Sequence, residues 1–211
     1  SGNDFRRGGE PYINQLMTAV NGGPASPQAD GWVTYGLPVV AGLMYRDSIE
    51  LDEIKHPIHI DSIRLQAASG GAGRLRGAPA TEVIYGPRVD PMTVIIPSDC
   101  QINPARGVRG GLDGAPAAQW KVSANGDETK LPNVVQFELQ AGEFVRGFEA
   151  GGGGYGSPLE REPERVLKDV ERRWETIERA RDIYGVVLSG SAENDDLAID
   201  VAATEAARAN A

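Results

Sequence analysis

Gly151-Gly152-Gly153-Gly154-Tyr155-Gly156-Ser157-Pro158 divides the chain into two unlike parts. Before it, apolar residues recur in short blocks with a period of two, and after it they recur at helical spacing. Downstream, Pro163 opens a predicted helix that places Val166, Val170 and Trp174 at i, i+4 and i+8, with charges around the remaining face. A second helix is predicted from Thr176 as N-cap to Gly185 as stop, with Ile177, Ala180 and Tyr184 as its buried stripe. Residues 195–211, alanine-rich with acids leading, fit either a docked helix or a frayed end. Upstream, residues 57–66 alternate by two apart from a slip at Asp61-Ser62, which a β-bulge explains. Further strands are predicted at 82–85, 92–96, 119–124 and 134–139, with Asn125-Gly126 turning a longer hairpin between the last two.

The resulting fold class is α+β: a mainly antiparallel β region over 57–150 with glycine-rich loops, then a C-terminal helix hairpin within 151–211. An irregular segment, 1–56, precedes both. Ile13, Leu16, Met17 and Val20 give it a short helix within 11–23, and residues 32–45 suit loops and a short edge strand. The three parts read as one continuous domain.

Of 211 residues, 27 are Gly and 14 Pro, roughly a fifth against about 12% in average usage. That punctuation, with 40% hydrophobic residues, argues against a helical bundle. Collagen is excluded because the glycines lack a three-residue period in sequence. The net charge of -9 has the wrong sign for neutralising phosphates, so nucleic acid is excluded as the expected partner. No apolar run reaches the roughly 18 to 20 residues that span a bilayer, so no membrane partner is expected either. The single Cys100 fits a reducing compartment, and the expected location is cytoplasmic. The chain starts at Ser1 without Met, which fits a processed product, a tag remnant or a fragment alike.

Four glycine clusters stand out: 21–23, 69–77, 107–111 and 151–156. A P-loop places Lys and Ser/Thr after its last glycine so that an ammonium and a Mg-bound hydroxyl reach the phosphates, and no cluster does so. The second cluster spaces Gly71, Gly73 and Gly77 one residue too long for the dinucleotide fingerprint. Tight turns or close backbone approach account for the glycines of any one cluster. The interleaving of Arg74, Arg76, Arg106 and Arg109 points to an anionic or interface surface. The candidate loop or interface residues are Gly70, Gly71, Gly73, Arg74, Arg76, Gly110, Gly111, Gly152, Gly153, Gly154 and Tyr155. No catalytic residue is assigned. His56 and His59 fall on opposite faces of an extended strand, so joint metal ligation is not supported. Glu50, Asp52 and Glu53 read as a solvated acidic loop, and Cys100 as a small buried residue.

Taken in order, these clusters resemble the B-type subunit of the hydantoinase B/5-oxoprolinase/ketone carboxylase family. The resemblance rests on 21–23 through Asp30-Gly31, then 48–53 with Pro57, then 69–77 and 107–111. It continues through 151–161, Asp169-Val170, 180–188, and Asp200, Thr204 and Arg208. It covers the chain from about Gly8 onward and matches the family's C-terminal part. Ala68, Gly77-Ala78, Glu149-Ala150 and Ser157 depart from the family pattern. The resemblance implies a subunit of an ATP-dependent cyclic-amide hydrolase. The alternatives are a subunit of an ATP-dependent ketone carboxylase or a non-catalytic scaffold module of such a complex. It implies two partners, an A-type nucleotide-binding subunit and a chain carrying the N-terminal half of the B-type subunit. ATP, Mg and a divalent metal are implied for the complex, with no cofactor bound by this chain alone.

Overall fold

The computed structural model of the chain describes residues 1–15, 21–33 and 48–211. Two antiparallel sheets face each other. One has five strands in the order β3 (Ile58–Leu65), β4 (Thr81–Pro87), β9 (Phe144–Phe148), β6 (Ala118–Val122) and β7 (Glu128–Lys130). The other has four, ordered β2 (Glu10–Tyr12), β1 (Gly2–Asp4), β5 (Met92–Pro97) and β8 (Val134–Leu139). Strict alternation drives their packing: Met92, Val94 and Ile96 of β5 turn inward while Ile95 and Pro97 face out. They join Ile58, Leu139 and Val145 in a core that Tyr12, Tyr85 and Phe137 flank. The slip at Asp61-Ser62 is a bulge, where the β3–β4 register shifts between Ile60 and Ser62.

Asn125-Gly126 does turn a hairpin, but it joins β6 to β7 rather than to β8. Residues 128–130, Glu-Thr-Lys, are exposed, so no apolar alternation marks that edge strand. β8 crosses to pair with β5 in the other sheet. β9, the central strand, escaped sequence reasoning because Gly147 interrupts its inward row, and the side-chain oxygen of Gln119 occupies that place. The acidic run 50–53 is helical, not a loop. Helix α1 (Ile49–Lys55) is capped by Ser48, whose side chain accepts from Leu51 N–H, and Asp52 is buried. In the predicted 11–23 helix, Tyr12 ends a strand and 13–15 are irregular; positions 16–20 lie outside the described residues. So does most of the 32–45 edge strand.

Helices α2 (Pro163–Glu171) and α3 (Ile177–Tyr184) form the expected hairpin, with Pro163 in the first turn and Gly185 at φ +63 closing α3. Trp174 is not on the helical stripe. α2 stops at Glu171, and Trp174 lies beyond it, stacked 4.5 Å beneath the Arg76 guanidinium. A short ribbon of β10 (Leu188–Ser189) and β11 (Ala198–Ile199) leads into α4 (Val201–Ala209). Of the two readings for the last segment, the docked helix is the one observed. Asp200 caps it, the Thr204 hydroxyl accepts from Val187 N–H at 3.0 Å, and Arg208 donates to the carbonyl oxygens of Tyr184 and Arg161. Among the described residues no helix is long and apolar enough to cross a membrane.

Candidate functional site

The glycine clusters converge on one place, the run 150–156, which threads between the β-sandwich and the helix hairpin. Its neighbours change with a period of three. Gly151 and Gly154 face residues 112–115: their N–H groups donate to Ala115 O at 3.0 Å and Leu112 O at 2.9 Å. Gly152 and Tyr155 face 75–78, donating to Ala78 O at 3.0 Å and Leu75 O at 2.8 Å. Gly153 and Gly156 face 105–108: a Cβ on Gly153 would meet the Arg106 carbonyl, and Gly156 N–H donates to Val108 O at 3.0 Å. Residues 69–72 and 21–25 close the remaining sides, with Gly71 N–H bonded to Gly152 O and Ala25 N–H to Gly153 O. Three residues per turn without internal hydrogen bonds is the signature of an extended threefold helix. Collagen crowds such a helix on one side only and needs glycine at every third position. This run is crowded on every side, which explains four glycines in succession.

The candidate residues divide accordingly. Gly70, Gly71, Gly73, Gly152, Gly153 and Gly154 line the bundle interior, where a Cβ at each would fall under 3.0 Å from backbone atoms. Gly111 packs the same way against Gly154, while Gly110 sits at an exposed turn with φ +89. Tyr155 exchanges both of its backbone hydrogen bonds with Leu75. Arg74 is half-buried, 3.9 Å from Glu160. Arg76 is buried, and its Nε donates to Asp169 Oδ1 at 2.9 Å, so its charge is spent internally rather than offered to a ligand. Arg106 and Arg109 are exposed.

Sequence reasoning missed the cluster that fixes the bundle to the helices. Arg161, with a side chain 1% exposed, donates to both oxygens of Asp30 at 2.9 Å and to Asp169 Oδ2 at 2.7 Å. Asp30 also accepts from Arg76 N–H and Arg165. Burial works against ionised Asp30, but its bonds to Arg161 and the nearby Arg76 charge hold the carboxyl below its ordinary range. These residues lay inside quoted motifs, and the available signal was opposite charges embedded among small residues.

Just upstream of the run, Glu149 donates its N–H to Thr81 O at 2.9 Å. Burial pushes its carboxyl above the ordinary 4.5, which the hydrogen bond from Gln119 only partly offsets. A carboxyl whose pKa rises on folding favours the fold below its ordinary pKa, and that contribution is lost as pH climbs through the raised value. Glu149→Gln is therefore expected to raise the urea midpoint at pH 7 and to leave it unchanged at pH 4. Equal midpoints at both pH values would contradict this. Cys100 is partly buried with φ +63, and burial raises its thiol, away from nucleophile character.

Among the described residues no group of three or more His, Cys, Asp or Glu is arranged to hold a metal ion. His59 Nδ1 lies 3.0 Å from Glu53 Oε1, which also accepts from Ile60 N–H. The amides of Gly71, Gly77, Gly111, Gly114, Gly151, Gly152, Gly154 and Gly156 are already donated to carbonyls. No chemical step through a metal or a phosphate is assigned to the described residues.

A packed glycine bundle between an antiparallel β-sandwich and a helix hairpin is the architecture that the comparisons with known proteins have to account for. Residues 1–158 match the hydantoinase B/oxoprolinase family, and the chain belongs to it. Caprolactamase subunit beta of Pseudomonas jessenii is 32% identical over 214 residues, 99% of this chain and 36% of that protein. The crystal structure of ATP-dependent caprolactamase from the same organism superposes with a TM-score of 0.79 at 30% identity, again over 99% and 36%. Nucleotide-free acetone carboxylase shares the fold, with a TM-score of 0.74 at 23% identity over 94% of this chain and 30% of that one. The chain spans about a third of the length of these relatives.

Proposed function

We propose that the chain contributes the C-terminal part of the B-type subunit in an ATP-dependent cyclic-amide hydrolase. It would work with an A-type nucleotide-binding subunit and with the polypeptide that carries the rest of the B-type subunit. The observation that carries this reading is the likeness to caprolactamase over 99% of the chain. Surface chemistry supports the second partner. Phe5 is 63% exposed on a turn whose arginines donate to carbonyls of Glu53 and Ile54, and α1 exposes Leu51 and Ile54 beside it. Apolar exposure of this kind is what a permanent interface covers. ATP, Mg and the divalent metal belong to the partner chains in this reading, and the free thiol of Cys100 supports a cytoplasmic setting.

The likeness to acetone carboxylase favours a second reading, a ketone carboxylase subunit. The test is ATP turnover by the complex assembled with its A-type partner and the rest of the B-type subunit. Turnover of a lactam, hydantoin or oxoproline without bicarbonate is the expected result. ATP turnover that requires both a ketone and bicarbonate would overturn the hydrolase reading in favour of the carboxylase.

A further inference from the structure

We infer that Asn125 is a site of covalent modification by water, a deamidation to aspartate and isoaspartate through a succinimide, and that opening of the edge strand β7 sets its rate. This chemistry belongs to the chain itself and holds whatever the proposed function. Only Asn21 and Asn125 are followed by glycine in the sequence. The attacking nitrogen is that of the following residue, and glycine, with no Cβ, leaves it unshielded and free to rotate. The Gly126 backbone nitrogen gives up its proton and bonds to Asn125 Cγ. The bond from Cγ to Nδ2 breaks, and Nδ2 leaves as ammonia with that proton. Water then adds to either carbonyl of the ring, which opens to aspartate or isoaspartate with no change of oxidation state.

The fold separates the two asparagines. Asn21 Oδ1 accepts from Ala150 N–H at 3.1 Å, Gly22 N–H donates to Ala150 O at 2.8 Å, and backbone of Ala78 and Gly152 encloses buried Gly22. Turning the Gly22 nitrogen onto the Asn21 carboxamide requires parting the close-packed glycine bundle. Asn125 and Gly126 are exposed, with open space where a Gly126 Cβ would go. Asp127 holds the reacting carboxamide at both ends. Its N–H donates to Asn125 Oδ1 at 3.2 Å, where negative charge develops, and its carboxylate accepts from Nδ2, the leaving atom, at 2.8 Å. The brake is Gly126 N–H, committed to Ser123 O at 2.8 Å beside a bond from Ser123 N–H to Asp127 O at 2.9 Å. These bonds depend on β7, an exposed three-residue edge strand that Glu128 ties to Arg146 Nη1 at 3.3 Å. Short exposed edges open far more often than cores. Isoaspartate routes the backbone through Asn125 Cβ and lengthens it, so the register of Val122 with Glu128 and Trp120 with Lys130 no longer closes on the same turn. Either product also adds a carboxylate beside Asp127 and Glu128. Modification therefore releases β7 from the sheet.

The experiment incubates the full chain, shown folded by circular dichroism, at pH 7 and maps its tryptic peptides by mass. The peptide 122–130 should gain about one mass unit at least ~10-fold faster than the peptide that holds Asn21, whose conversion needs the core to open. It should also become a substrate for an isoaspartyl-specific methyltransferase. In urea the two peptides should convert at similar rates. Asn125→Gln should abolish the gain, because the larger ring closes slowly. Glu128→Ala should speed it about two- to fivefold, the effect of an exposed ion pair on opening. Hydrogen exchange at 128–130 should quicken in the modified chain. A folded chain whose Asn21 converts as fast as Asn125 overturns the inference, as does an Asn125 that converts only in urea. Conversion that Glu128→Ala leaves unchanged also overturns it, because β7 would then not be the gate.

Discussion

Gly152→Ala is expected to prevent the chain from folding, at a cost of more than ~3 kcal/mol out of the 5 to 15 kcal/mol typical of a domain. A Cβ at this position would fall inside the Gly23 carbonyl and 2.9 Å from Pro24 N. Every candidate for movement is backbone that is bonded elsewhere: Gly23 N–H donates to Trp32 O, and Gly152 itself exchanges bonds with Ala78 and Gly71. Overpacking against a flexible side chain relaxes by a rotamer change, but here relief requires separating two chain segments and giving up hydrogen bonds on both sides. Gly126→Ala provides the contrast. Gly126 sits at the β6–β7 turn with φ +91 and open space where a Cβ would go, so only the left-handed penalty of about 1 to 2 kcal/mol applies. Soluble yield, circular dichroism and urea unfolding distinguish the two variants. A Gly152→Ala protein with the wild-type midpoint would refute the account of the glycine run.

The sandwich strands and the helix hairpin were legible because their signals are local. Period-two alternation in β5 and β8, the slip at Asp61-Ser62, Pro163, Thr176 and Gly185 each act within a few residues of their own position. Pairing across distance was not legible. The turn at Asn125-Gly126 announces a hairpin but cannot choose between the polar 128–130 and the apolar 134–139 as its second strand, and hydrophobic patterning chose wrongly. The same limit hid the meaning of the glycines. The threefold period leaves no trace in 151–154, because Gly151, Gly152 and Gly153 each face a different segment and each is crowded by its backbone. Positive φ, the usual reason for glycine, applies in the quoted clusters only at Gly110 and Gly156. The rest are glycine because five other segments approach, and no local window contains those segments. The family resemblance reached the assignment by a different route, through the order of the motifs.

Charge burial supplies the second large effect. Arg161→Met is expected to destabilise the chain by about 3 to 5 kcal/mol at pH 7, because it leaves Asp30 and Asp169 facing one another's surroundings with their main counter-charge gone. Three parts of the chain meet at this guanidinium: Asp30, Arg76 in the second glycine cluster, and Arg161 itself with Asp169 on α2. Arg165 and Arg76 remain to Asp30 and Asp169 in the variant, but Arg165 is 40% exposed, so solvent screens the replacement. Adding Asp30→Asn and Asp169→Asn to Arg161→Met should recover much of the loss, since the penalty is uncompensated charge rather than missing attraction. The pH dependence follows from Asp30, whose carboxyl is held below its ordinary 3.8 in the wild type. Its contribution is present above that value and is lost as pH falls through the lowered one, while the variant no longer has it to lose. The gap between wild type and Arg161→Met should therefore be widest above pH 5 and should close as both are acidified below 3.8. Urea midpoints taken across that range test it, and a gap that stays constant down to pH 3 would place the role of Arg161 in packing instead of charge.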